Sequence, residues 1–151
     1  MHPTGICYQA YIPMRKDPDE TSEMVNQVLF GESFSILEEN KPKNFSLISL
    51  SHNKYLGWIN TKCICFLTEK NWEAMQKLPL SITHDLINQL HSTNNQGNVI
   101  IGCGSILRHC SPGKTKIDLV EFNLPEIPEN DTVKTRENLV RYGMKLLSVP
   151  Y

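Results

Sequence analysis

The sequence predicts a mainly β protein: a small antiparallel barrel, a short connecting helix, a second, more divergent β domain, and a C-terminal helix. Three observations support this reading. From Ile6 to Leu67, short runs of β-branched, aromatic and aliphatic residues recur at close intervals between turn-formers. Apolar and polar positions alternate in Phe34-Ser35-Ile36-Leu37 and Phe45-Ser46-Leu47-Ile48, so one face of each strand can be buried. A chain of 151 residues with 40% hydrophobic residues can also supply a core without metals or disulfides.

The expected strands of the first half are Ile6 to Ile12, Met24 to Phe30, Glu32 to Glu38, Phe45 to Leu50, Tyr55 to Ile59 and Cys63 to Leu67. Lys16-Asp17-Pro18-Asp19, Asn40-Lys41-Pro42-Lys43-Asn44 and Ser51-His52-Asn53 are the turns. Proline presets φ there, while Asn and Asp tolerate αL or bond their own backbone. Thr68 is placed to cap a helix carrying Trp72, Met75 and Leu78, which Pro79 ends.

Beyond it, apolar residues at 82, 86, 87 and 90 fit a helix, with a strand as the alternative because two β-branched residues lie near its start. Strands are expected at Val99 to Ile101 and Ile117 to Phe122, separated by the clusters Gly102 to Ser105 and Ser111-Pro112-Gly113. Leu124 to Asp131 reads as an exposed linker. Asp131 or Thr132 then caps a helix with Leu139, Gly143, Leu146 and Leu147 on one stripe, closed by Pro150. The expected division is 1–67, 68–80 (connecting helix), 81–123 (a more divergent second β domain) and 124–151 (linker and helix).

Fifteen Lys+Arg against sixteen Asp+Glu give a net charge of −1, which leaves no positive excess to hold a nucleic-acid backbone. The N-terminus lacks a basic patch followed by an apolar stretch, and no segment is long enough to span a bilayer, so the expectation is a cytoplasmic protein without a membrane partner. The odd count of five cysteines, at 7, 63, 65, 103 and 110, reads as reduced thiols.

Three features imitate functional sites. Gly113-Lys114-Thr115 resembles part of a phosphate-binding loop, but that motif needs a glycine where Arg108 stands, and Lys116 to Val120 alternates like a strand. Cys63 and Cys65 on one predicted strand would point to one face about 6.6 Å apart, too awkward for a bridge. With Cys103, His109 and Cys110 they lack the spacing of a zinc site, so no metal or cofactor is expected. Cys103 between Gly102 and Gly104 is the least implausible thiol nucleophile, yet nothing in the sequence ties His84, His91 or His109 to it; a tight bend is the plainer reading.

The run Arg15-Lys16-Asp17-Pro18-Asp19-Glu20-Thr21-Ser22-Glu23-Met24-Val25-Asn26-Gln27-Val28-Leu29-Phe30-Gly31-Glu32 resembles the opening of bacterial SH3 domains found at the N-terminus of NlpC-family cell-wall cysteine peptidases, and Gly57-Trp58-Ile59 after Tyr55 resembles the strand that follows in them. Thr135 to Tyr151 is similar to the helix leading into the peptidase domain, whose Gly-Gly stretch and Asp-Cys-Ser-Gly nucleophile motif are not in the sequence. The middle region, with Gly104-Ser105-Ile106-Leu107, resembles a second SH3-like domain but lacks a second Gly-Trp strand.

The resemblance implies two SH3-like barrels and an intact protein that hydrolyses peptidoglycan peptides after γ-D-glutamate. This chain would carry no catalytic residue of its own; its partners would be a murein peptide with a free N-terminal L-alanine and the protein's own C-terminal peptidase domain. Glu23 and Tyr55 match the positions that would receive the ammonium, through a carboxylate and a phenolic hydroxyl, with Trp58 beside them. Plainer readings stand alongside: Glu23 as a solvated charge, and Tyr55 and Trp58 as packing residues, packing being the weightier reading for Trp58. Two rival functions remain: a stand-alone, non-enzymatic module binding a cell-wall peptide or a protein segment, and a self-contained thiol enzyme using Cys103 or Cys110.

Overall fold

The computed structural model describes residues 3–93, 97–124, 136–145 and 147. Seven antiparallel strands form the first sheet: β1 (Thr4–Ile6), β2 (Tyr11–Arg15), β3 (Met24–Leu29), β4 (Ser33–Asn40), β5 (Phe45–Leu50), β6 (Leu56–Asn60) and β7 (Cys65–Leu67), in the order β3-β2-β6-β5-β4-β1-β7. After α1 (Glu69–Gln76), a second antiparallel sheet contains β8 (Leu80–Ile82), β9 (Ile87–Ser92), β10 (Asn98–Gly102), β11 (Ile106–Ser111), β12 (Lys114–Ile117) and β13 (Val120–Asn123), in the order β10-β9-β13-β12-β11-β8. The described part of the C-terminal helix is α2 (Arg136–Lys145). Its expected caps, Leu139 and Leu146 on its stripe, and Pro150 lie outside what is described.

The mainly β, SH3-like reading holds, with one correction: neither sheet closes into a hydrogen-bonded barrel. In the first sheet β3 and β7 remain edges. β7 has three residues, and Thr68 immediately turns the chain into α1 by accepting the Asn71 amide at 3.2 Å, so no strand is left to complete a ring.

The expected strand Ile6 to Ile12 is two strands. Ile6 and Cys7 are both fully buried, which breaks a period-2 pattern. They enter different cores: Cys7 packs with Ile12, Met14, Phe34 and Ile48, Ile6 with Phe30, Leu90 and Phe122. The bend between them is held by hydrogen bonds from the Cys7 amide to the Glu32 carbonyl (3.0 Å) and from the Gly31 amide to the Cys7 carbonyl (2.8 Å). β1 therefore pairs with β4 and β7, while β2 pairs with β3 and β6.

In the second half the helix favoured over residues 82–90 is absent, and β8 and β9 stand in its place. Thr83 decides this. Its amide donates to the Ser105 carbonyl (2.9 Å), its hydroxyl donates to the Gly102 carbonyl (2.6 Å), and its carbonyl accepts from Gly104 (2.9 Å), bonds that reach some twenty residues along the chain and leave none for a helical turn. The expected strand Ile117 to Phe122 is a hairpin of β12 and β13 with Asp118-Leu119 at its tip, and Asp118 takes the left-handed conformation at φ 51°. β11 was not foreseen as a strand.

The two sheets share a core. Ile6, Phe30 and Leu67 from the first half join Met75 of α1 and Leu90, Ile101, Leu107, Ile117 and Phe122 of the second. Gly31 sits at the seam with φ 79°, where a Cβ would run into the Ile106 carbonyl, so both its conformation and the lack of space require glycine. Among the described residues no helix is long and apolar enough to cross a membrane.

Candidate functional site

Of the expected binding residues, Glu23 directly precedes the edge strand β3, Tyr55 directly precedes β6 and Trp58 lies within β6, two strands in from that edge. Register sets Met24 opposite Arg15 and Arg15 opposite Trp58, giving one row across β3, β2 and β6. Trp58 lies between Gly57 and Ile59, both buried, so its own side chain points to the outer face, where it is half-buried. Trp58 is not among the buried residues of the first core. Gly57 keeps this place because a Cβ would press on the Met14 side chain at 2.9 Å.

Arg15 organises the loop between β2 and β3. Its guanidinium donates to the Ser22 carbonyl (3.0 Å) and stands 3.9 Å from the Glu20 carboxylate, while the other Glu20 oxygen accepts from Asn60 (2.8 Å). The expected turn at Lys16 to Asp19 is closed by local bonds. Asp19 accepts from the Thr21 hydroxyl (2.6 Å) and amide (2.8 Å), and those bonds hold its carboxyl below the usual carboxylate range. The Lys16 amide donates to the Glu23 carbonyl (3.0 Å), which fixes where the Glu23 side chain leaves the loop.

Glu23 is exposed, and its carboxylate has no hydrogen bond or ion pair among the described residues. Tyr55 is 41% exposed, and its hydroxyl donates to the Val25 carbonyl at 3.4 Å, a long bond that leaves the oxygen lone pairs open. The phenol thus leans on the residue two places after Glu23. Met24 and Leu56, each 54% exposed, flank the polar pair with apolar surface. Sequence reasoning did not single out Arg15, Glu20 or Asn60, although Arg15 opens the motif; their role depends on partners far apart in the chain.

The imitations resolve by geometry. Gly113 forms the β11–β12 turn at φ 68°, β12 follows as a strand, and the Thr115 hydroxyl donates to the Arg108 carbonyl (3.1 Å) and accepts its amide (2.9 Å). Cys63 and Cys65 do not share a face. A 3-10 turn at Thr61–Cys63 breaks the strand, so Cys63 packs on the first core and Cys65 on the second. Burial raises both thiols above their ordinary value; the Glu20 carboxylate adds to this for Cys63 and that of Asp118 for Cys65. Cys103 and Gly104 form the bend between β10 and β11, Gly104 with φ 89°. Among the described residues no three His, Cys, Asp or Glu side chains are placed to hold a metal.

Residues 14–64 match the family described as the bacterial dipeptidyl-peptidase SH3 domain, the segment that contains Arg15, Glu23, Tyr55 and Trp58. No curated protein matches the chain. Among solved structures, an NlpC/P60 family protein from Bacillus cereus ATCC 10987 superposes with a TM-score of 0.79 at 10% identity, over 98% of this chain and 65% of its own. An NlpC/P60 endopeptidase from Photobacterium damselae subsp. piscicida superposes with a TM-score of 0.62 at 20% identity, over 76% of this chain and 28% of its own. The chain therefore spans less than two thirds of either protein. In sequence over residues 14–64 it resembles a bacterial dipeptidyl-peptidase SH3 domain, and in fold it resembles the NlpC/P60 proteins, the relationship its motifs imply.

Proposed function

We propose that this chain is the substrate-restricting SH3-like region of a cytoplasmic cysteine endopeptidase acting on peptidoglycan peptides, and that it helps to recognise the free N-terminal L-alanine of a stem peptide. The observation that carries this reading is the exposed Glu23 carboxylate, without a hydrogen bond or ion pair among the described residues, two positions from the Val25 carbonyl to which the Tyr55 hydroxyl donates, all inside the SH3-matching segment. A carboxylate and a phenolic oxygen both accept from an ammonium, and charge assistance makes the carboxylate bond the stronger one. The half-buried Trp58 face and the exposed Met24 and Leu56 offer apolar surface for the alanine methyl and for an apposed peptidase domain. The chain itself supplies no nucleophile in this reading; chemistry belongs to the peptidase domain, and the SH3-like wall decides which peptide ends are admitted.

The test is an NMR titration with L-Ala-γ-D-Glu-diamino acid peptide, free and N-acetylated. The free peptide is expected to shift Glu23, Tyr55 and Trp58, and Glu23→Gln to weaken binding about tenfold. Equal shifts from the acetylated peptide, or none from either, overturn the reading.

A second reading, a non-enzymatic module for a cell-wall peptide or protein segment, is favoured by the open edge of β3. That edge can accept an added strand beside Met24.

A further inference from the structure

A cavity of about 690 Å³ lies where the first and second sheets meet, within the size range of small-ligand sites. It is bounded by the bend at Tyr8, Gln9 and Ala10, by the start of β7, and by β9, β10, β12 and β13. Ile64, Val99, Ile100, Val120 and Phe122 make its walls mostly apolar. Among the described residues no Lys, Arg or His lines it.

Among the described residues one charged group does line it. Asp118, at the tip of the β12–β13 hairpin, receives a hydrogen bond on one carboxylate oxygen from the Asn71 amide group of α1 (2.6 Å), and its backbone amide donates to the Met75 sulfur (3.4 Å). These bonds fix the carboxylate and leave its second oxygen without a partner among the described residues. No ion pair neutralises it there. The Cys65 thiol, also in the lining, is raised by burial first and by this carboxylate second.

We propose that the cavity binds an amphipathic amine, with the free Asp118 oxygen taking the ammonium and the apolar walls taking the hydrocarbon body. An anionic ligand would face the carboxylate with no compensating cation among the described lining residues. A neutral one would gain burial but no charge-assisted bond. Asn71 acts as the positioning residue by holding the carboxylate in one orientation. The site is separate from the Glu23 and Tyr55 edge and does not depend on the function proposed for that edge.

The test is an NMR titration of the full chain with hexylammonium, using 1-hexanol and hexanoate as neutral and anionic counterparts. Hexylammonium is expected to produce saturable shifts at Tyr8, Ile100 and Asp118, and to bind about tenfold more tightly than hexanol. Asp118→Asn keeps a residue that tolerates the left-handed backbone and a carbonyl for Asn71. It should remove that tenfold preference and leave hexanol binding unchanged, while Val99→Trp, which fills the cavity, should abolish binding of both. Glu23→Gln should leave all of this unaffected. Equal affinity for the three probes, shifts centred on Glu23, no saturable shift, or a hexylammonium preference that survives in Asp118→Asn overturns the proposal.

Discussion

The amide of Ile106 donates to the carbonyl of Phe30 at 2.8 Å, so the turn leaving β3 is bonded to the first residue of β11 in the other sheet. The Phe30 ring continues the contact, meeting Phe122 edge-on at 5.7 Å between centroids and 80° between planes.

Phe30→Ala should therefore loosen both halves. Truncating a fully buried phenylalanine costs about 3–5 kcal/mol, and edge-on aromatic contact adds to burial. Denaturant unfolding followed by hydrogen exchange should show one weakened transition, with protection lost at Leu90 and Leu107 as well as at Phe34. Loss confined to the first sheet would contradict a shared core.

Gly31 and Gly113 separate conformational from steric cost. Both have positive φ, but a Cβ at Gly31 meets the Ile106 carbonyl while at Gly113 it meets nothing within 4 Å. Gly113→Ala should cost about 1–2 kcal/mol, the left-handed penalty alone. Gly31→Ala should cost clearly more, as measured by chemical denaturation.

Burial pushes the Cys7 thiol up to about 12 from its ordinary 9.0. The folded state holds this proton more tightly than the unfolded chain. The stability it contributes is thus complete below pH 9.0 and is lost as pH rises toward about 12. Cys7→Ala should flatten that alkaline decline in denaturation curves. In the native protein near neutral pH, Cys7 should escape alkylation, which peptide mapping reads directly.

Arg108 is 7% exposed, its guanidinium carbon lies 5.7 Å from the Trp72 ring centroid, and its buried Nε has no hydrogen-bond partner among the described residues. Burial lowers its pKa. Arg108→Met keeps the stem volume and removes the stranded donor and charge, so the thermal midpoint should stay level or rise. Arg108→Ala, which also empties the space beside Trp72, should lower the midpoint and cost roughly 1–3 kcal/mol of unfolding free energy.

Wherever neighbouring residues decide conformation, the sequence was legible. The Thr68 cap, β3, β5 and the turns at residues 16–19 and 40–44 follow from local chemistry, and Asn44 takes the left-handed conformation at φ 57° expected of a turn asparagine. The break between Ile6 and Cys7 was not legible, because it depends on two cores claiming adjacent residues. Nor was the course of residues 82–90, where Thr83 takes its partners from residues 102–105. For the binding edge, Glu23, Tyr55 and Trp58 were named from a motif, but the Arg15–Glu20–Asn60 frame around them and the cavity beside Asp118 exist only once strands distant in sequence are adjacent.

The placement of Ile6, Phe30 and Leu67 in a core they share with the second half bears on how such a chain can be recombined. A gene cut at Thr68 would hand the first half to a new host with three large apolar side chains facing water, an invitation to self-association. The two halves are therefore expected to travel through evolution, and through protein engineering, as a single transferable cassette.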